Sequence, residues 1–100
     1  MVTRTDAGDW QFSFFRPGAR RVFLVGDFNG WDERAHPMQS VGRGLWQVRL
    51  SLPDGVYEFK YLADGEWYVD YAAFGVECSP FGCNSVIVSN EIHEPAMPVG

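Results

Sequence analysis

A chain of 100 residues with a formal net charge of −5 has room for one domain and none for a catalytic barrel or a doubly wound nucleotide fold beside it. An apolar share of 46%, with 16% aromatic, suffices for a core and is too high for a disordered chain. The eight basic residues are scattered apart from Arg20-Arg21, so no basic stripe can neutralise phosphates; nucleic acid and anionic membrane are excluded as partners.

Residues 1–8 read as an N-terminal extension, residues 9–90 as one β-domain, and residues 91–100, with Pro95 and Pro98, as a flexible tail or the start of a linker. Within the domain, Trp10 to Phe14 puts Trp10, Phe12 and Phe14 on one face before Pro17-Gly18 ends the run. Arg21 to Val25 follows, with Val22 and Leu24 as the inward pair. The segment Val25-Gly26-Asp27-Phe28-Asn29-Gly30-Trp31-Asp32 then places Trp31 beside a glycine turn, at the surface or plugging the sandwich end. Leu45 to Leu52 alternates Trp46, Val48, Leu50 and Leu52 against Gln47, Arg49 and Ser51, the pattern of a half-buried strand with Trp46 inside.

Pro53-Asp54-Gly55 turns the chain into Val56 to Tyr61, where Tyr57, Phe59 and Tyr61 point one way and Glu58 and Lys60 the other. Lys60 is thus predicted on an outer sheet face. Asp64-Gly65 is a favoured two-residue hairpin turn, and Glu66 to Asp70 returns as a short strand with Trp67 exposed beside the turn. Tyr71 to Cys83 is predicted to be a loop, and Asn84 to Ser89 the closing strand. Short strands of this kind, with no helical period sustained for three turns, predict an all-β antiparallel sandwich.

Cys78 and Cys83 flank Ser79-Pro80-Phe81-Gly82, a turn able to bring them within bridging reach. The start of the chain leads into no signal-peptide apolar segment, so a cytoplasmic protein with two reduced thiols is expected. Neither His36 nor His93 lies at a metal-ligand spacing from them, and no metal or other cofactor is expected. Asp27, Asp32, Asp64 and Glu66 lie near turns, but nothing fixes two of them as the carboxylate pair a glycosidase needs, so no catalytic residues are assigned.

A sugar ring offers an apolar C–H face and a rim of hydroxyls, which call for a flat aromatic platform with donors and acceptors at its edge. Trp31, Trp67, Lys60 and Asn84 supply those parts. Each indole can cover roughly 100 Å² of sugar, or about 2.5 kcal/mol before binding costs, which predicts micromolar to millimolar affinity.

The run from Arg21 to Asp32, followed by His36-Pro37-Met38, resembles the family 48 carbohydrate-binding modules. These include the glycogen-binding domain of the AMP-activated kinase β subunit and the amino-terminal modules of branching and debranching enzymes. Leu52 to Tyr61, Asp64-Gly65-Glu66-Trp67, Phe81-Gly82 and Asn84-Ser85-Val86 match in order, across nearly the whole predicted domain. The resemblance implies an immunoglobulin-like β-sandwich of the early-set type that binds α-1,4-glucans, as polysaccharide or oligosaccharide, without cleaving them. It implies that Trp31 and Trp67 stack on glucose rings, that Lys60 and Asn84 hydrogen-bond hydroxyls, and that Phe81 presses on the glucan. Cys83 stands where the kinase module has a sugar-contacting threonine, and Asn84 aligns only through a one-residue deletion. Tyr71-Ala72-Ala73-Phe74 lacks the proline usual there. The alternative is a sandwich that has lost sugar binding and docks a catalytic domain or partner protein.

Overall fold

The computed structural model describes residues 1–71, 75–80 and 82–89. Period-two alternation builds strands β1 (Val2–Arg4) and β2 (Trp10–Phe15), and a continuous apolar run builds β3 (Val22–Gly26), followed by a 3-10 turn at Asp27–Asn29. Strands β4 (Gln39–Gly42), β5 (Leu45–Leu50), β6 (Gly55–Ala63), β7 (Glu66–Tyr68), β8 (Gly75–Ser79) and β9 (Gly82–Ser89) complete the described fold. One sheet has the order β1-β2-β5-β4 and the other β3-β6-β9-β8, with β7 paired to the far end of β6; every pairing is antiparallel. This is the predicted all-β sandwich.

The inward faces supply the core. In the first sheet Phe12 lies opposite Val48 and Phe14 opposite Trp46; in the second, Leu24 lies opposite Tyr61 and Tyr57 opposite Ile87. Across the gap the Phe12 and Phe59 rings meet edge to face at 5.1 Å, and the Phe14 and Tyr61 rings stack at 4.5 Å. Such pairs add specific geometry to the burial of their area. Trp10 and Trp46 are both buried, as the alternation predicts. The Trp10 indole N–H donates to Ser89 Oγ at 3.0 Å, joining the two sheets.

Polar groups inside the sandwich are paired. The Tyr61 hydroxyl donates to buried Asp70 at 2.6 Å, while Ser85 Oγ accepts the Asp70 N–H and donates to the Phe59 carbonyl. Burial first, and then the Asp70 carboxylate, push the Tyr61 phenol well above its ordinary pKa, so it remains a donor at any physiological pH.

Several segments depart from expectation. Residues 1–8, read as an extension, contribute β1, whose Val2 lies opposite Phe12. Strand β4 was not apparent in the sequence: all four of its residues are exposed, so burial imprints no alternation on them. The span from Tyr71 to Cys83, expected to be a loop, contains β8, and β9 begins at Gly82 rather than Asn84. The expectation of two reduced thiols also gives way. Cys78 and Cys83 are directly opposed in the β8–β9 ladder and form a disulfide, because antiparallel pairing around the short turn brings their side chains together on one face. The predicted tail, residues 91–100, lies outside the described residues.

Gly26 ends β3 in extended conformation, where a side chain has no room. A Cβ there would lie 2.5 Å from the Glu58 carbonyl oxygen and 2.7 Å from Phe59 Cβ, both fixed parts of the neighbouring strand. Gly26→Ala is expected to cost about 3 kcal/mol, at the upper end for overpacking, seen as a lower urea midpoint with an unchanged slope.

Candidate functional site

Strand β6 carries the site. Its inward residues Phe59, Tyr61 and Ala63 are buried in the core, leaving Glu58, Lys60 and Leu62 on the opposite, outward face of the second sheet. Antiparallel pairing then sets their neighbours. Leu62 lies between Phe23 of β3 and Trp67 of β7; because Phe59 pairs with Ser85, Lys60 and Asn84 are the next residues along the two strands and share the outward face. Trp67, Lys60 and Asn84, dispersed along the sequence, thus converge on one surface.

The β6–β7 hairpin turns at Asp64 and Gly65, both with positive φ (49° and 85°), the conformation this two-residue connection demands. It holds Trp67 at the tip with 42% of its surface exposed, and Lys60 Nζ lies 6.0 Å from the indole centroid, at the limit of cation–π reach. A Cβ on Gly82 would sit 3.9 Å from the same Nζ, which places Lys60 beside the start of β9. Phe81, immediately before it, lies outside the described residues.

Asn84 is half-buried, and its amide nitrogen donates to Glu58 Oε1 at 2.8 Å. Glu58 therefore orients the amide through its nitrogen. Sequence reasoning placed Glu58 on the outer face but gave it no role, since the contact spans 26 residues and depends on register.

Trp31 is reached through the 3-10 turn. Asn29 accepts the Gly26 N–H at 3.1 Å, donates to the Leu24 carbonyl at 3.0 Å and meets His36 Nδ1 at 2.8 Å, so its polar atoms are spent inside the turn. Asp27 is divided between two partners: one oxygen accepts the Glu58 N–H and the other the Trp31 indole N–H, each at 2.8 Å. Trp31 itself has φ 60° and is half-buried, pinned at the Glu58 end of the surface. Trp67 lies at the Leu62 end. At about 3.3 Å per residue, those two positions on β6 are about 13 Å apart.

Asp64 does more than make the turn. Its carboxylate accepts backbone N–H bonds from Arg20 and Arg21 at 3.0–3.1 Å, and these two contacts, in that order, hold its pKa below the usual carboxylate value. The stabilisation is present above the ordinary aspartate pKa and is lost as pH falls through the depressed folded value. Below about pH 4 the stability gap between the native chain and Asp64→Asn is expected to narrow, as melting at a series of acid pH values would show.

Among the described residues no cluster of His, Cys, Asp or Glu side chains could hold a metal ion, and no helix is long and apolar enough to cross a membrane.

Comparison with known proteins now bears on this surface. Residues 2–75 match the model of carbohydrate-binding module 48, the isoamylase N-terminal domain. The chain belongs to this family. The immunoglobulin-like sandwich described above is the architecture expected of carbohydrate-binding module 48. The chain is 38% identical over 84 residues to the 1,4-alpha-glucan branching enzyme GlgB of Lactobacillus acidophilus, covering 79% of this chain and 13% of that enzyme. It is 39% identical over 85 residues to the GlgB of Frankia casuarinae, covering 79% of this chain and 10% of that enzyme. With GlgB 2 of Xanthomonas campestris it shares 41% identity over 58 residues, or 55% of this chain and 8% of the enzyme. The chain therefore spans only about a tenth of the length of these relatives.

Proposed function

We propose that this module binds α-1,4-linked glucans without cleaving them, using Trp67 and Trp31 as stacking platforms and Lys60 and Asn84 as hydrogen-bonding groups at their edges. The observation that carries the reading is the exposed Trp67 ring beside Lys60, with Asn84 on the same outward face. An indole face matches the C–H face of glucose, Lys60 donates to hydroxyls, and the Asn84 carbonyl oxygen accepts from one. Phe81, which the family resemblance aligns with an apolar contact, belongs to the same proposal. The names of the relatives support the choice of α-1,4-glucan among carbohydrates.

Catalysis is assigned no part in this role. Asp27 is committed to Trp31 and the β6 backbone, and Asp64 to the Arg20 and Arg21 amides, so neither stands as one of two carboxylates facing across a sugar cleft.

The test is native electrophoresis through gels containing glycogen or amylopectin, with tryptophan fluorescence titrated by maltoheptaose. Retardation and a saturable fluorescence change are expected. Unchanged migration with no spectral change would replace this reading by that of a docking domain that has lost sugar binding.

A further inference from the structure

Beyond the Trp67 platform, the second sheet continues into a groove of about 330 Å³ lined by Arg20, Arg21, Phe23, Leu62, Asp64 and Gly65. Its volume is at the small end for ligand sites and suits one sugar-sized group rather than a protein segment. The groove is continuous with the surface already described: Phe23 pairs with Leu62 and Leu62 with Trp67, so the three outward side chains form one cross-strand row. Directly opposed side chains on a sheet lie about 5 Å apart at Cβ, which leaves no gap in that row.

The rim has the chemistry that the floor lacks. Arg20 and Arg21 are exposed, and their guanidinium groups make no ion pair or hydrogen bond to any described residue. Their backbone amides are fixed by Asp64, which sets the direction from which the two side chains start. Asp64 Oδ1 accepts two of those N–H bonds and Oδ2 only one, so Oδ2 retains acceptor capacity. An apolar floor edged by several donors and one carboxylate oxygen is complementary to a neutral ring carrying hydroxyls. The two guanidinium groups outnumber the one carboxylate, so the choice of a neutral ring over an anion rests on the groove continuing the row that ends in Trp67.

We infer that this groove is an extension subsite that takes one further glucose residue of a linear glucan whose neighbouring residues lie on Trp67. Phe23, backed by the buried Leu62, supports the ring, the Arg20 and Arg21 guanidinium groups donate to its hydroxyls, and Asp64 Oδ2 accepts from one. The inference rests on the glucan reading and adds to it a dependence on chain length. A short oligosaccharide fills the Trp67 region alone; a longer one also occupies the groove.

The experiment is calorimetric titration of the native chain and of the double variant Arg20→Ala, Arg21→Ala with maltotriose and with maltoheptaose. The backbone bonds to Asp64 survive both substitutions, and circular dichroism checks the fold. The double variant is expected to keep its maltotriose affinity and to lose roughly five- to tenfold for maltoheptaose, the scale of one ordinary net hydrogen bond. A longer chain also has more registers in which to bind, but that advantage persists in the variant and cancels in the comparison. Phe23→Ala, which removes the floor and keeps the arginines, is expected to act in the same direction. A double variant that keeps the native ratio of the two affinities overturns the subsite and leaves the glucan reading standing. A native chain that binds neither sugar overturns both.

Discussion

Trp67→Ala is expected to weaken maltoheptaose binding by up to roughly 60-fold while lowering the melting temperature by no more than a few degrees. About 100 Å² of sugar covered by one indole corresponds to about 2.5 kcal/mol, and each 1.4 kcal/mol is a tenfold change in affinity. The ring stands at a hairpin tip, 42% exposed and outward, so little of the core's stability depends on it. Loss of its contact with Leu62 should cost less than about 1 kcal/mol. Titration and thermal melting of the same variant separate the two quantities. A large fall in melting temperature would mean that Trp67 is a structural residue, and unchanged affinity would remove it from the site.

Phe59→Ala is expected to do the reverse. Phe59 is fully buried on the strand that carries Lys60, and its ring packs on Phe12 at 5.1 Å and on Tyr61 at 5.7 Å, both edge to face. Truncating such a ring removes its burial and leaves a cavity, at a cost of about 3–5 kcal/mol. Domains of this size have about 5–15 kcal/mol of stability in total, so the variant is expected to be mostly folded only at low temperature and low denaturant. Where it is folded, its glucan affinity should stay within about twofold of the native value, since the outward face is unaltered. Urea melts and titration at low temperature would check both parts. The contrast with Trp67→Ala follows from the period of a strand, in which successive residues serve the core and the ligand face in turn.

That same period explains what was legible beforehand. Strands β2 and β5 and the first part of β6 have one face more buried than the other, so burial imprints alternation on the sequence, and Trp10 and Trp46 are recognisable as core residues. Strands β4 and β8 are exposed along nearly their whole length, and their residues carry no such imprint. The Cys78–Cys83 disulfide was hidden for a related reason: it depends on β8 existing and on its register with β9. Trp67 and Lys60 could be assigned to the surface from the Asp64-Gly65 turn and the alternation of β6. The pairing of Glu58 with Asn84, and of Asp64 with the Arg20 and Arg21 amides, could not, since those partners are 26 and about 44 residues apart.

The sequence by itself determined that this chain is a β-sandwich, which face of β2, β3, β5 and β6 turns inward, and, through its resemblance, the family to which it belongs. Only the tertiary structure decided which strands lie side by side. It brought Asn84 to Lys60, tied Trp31 to the β6 backbone through Asp27, and aligned Phe23, Leu62 and Trp67 in one row. The physical reason is that alternation is local and records which side of a strand meets solvent, whereas a ligand site is made of cross-strand neighbours. Those neighbours are fixed by pairings between segments far apart in the chain, which no local pattern encodes.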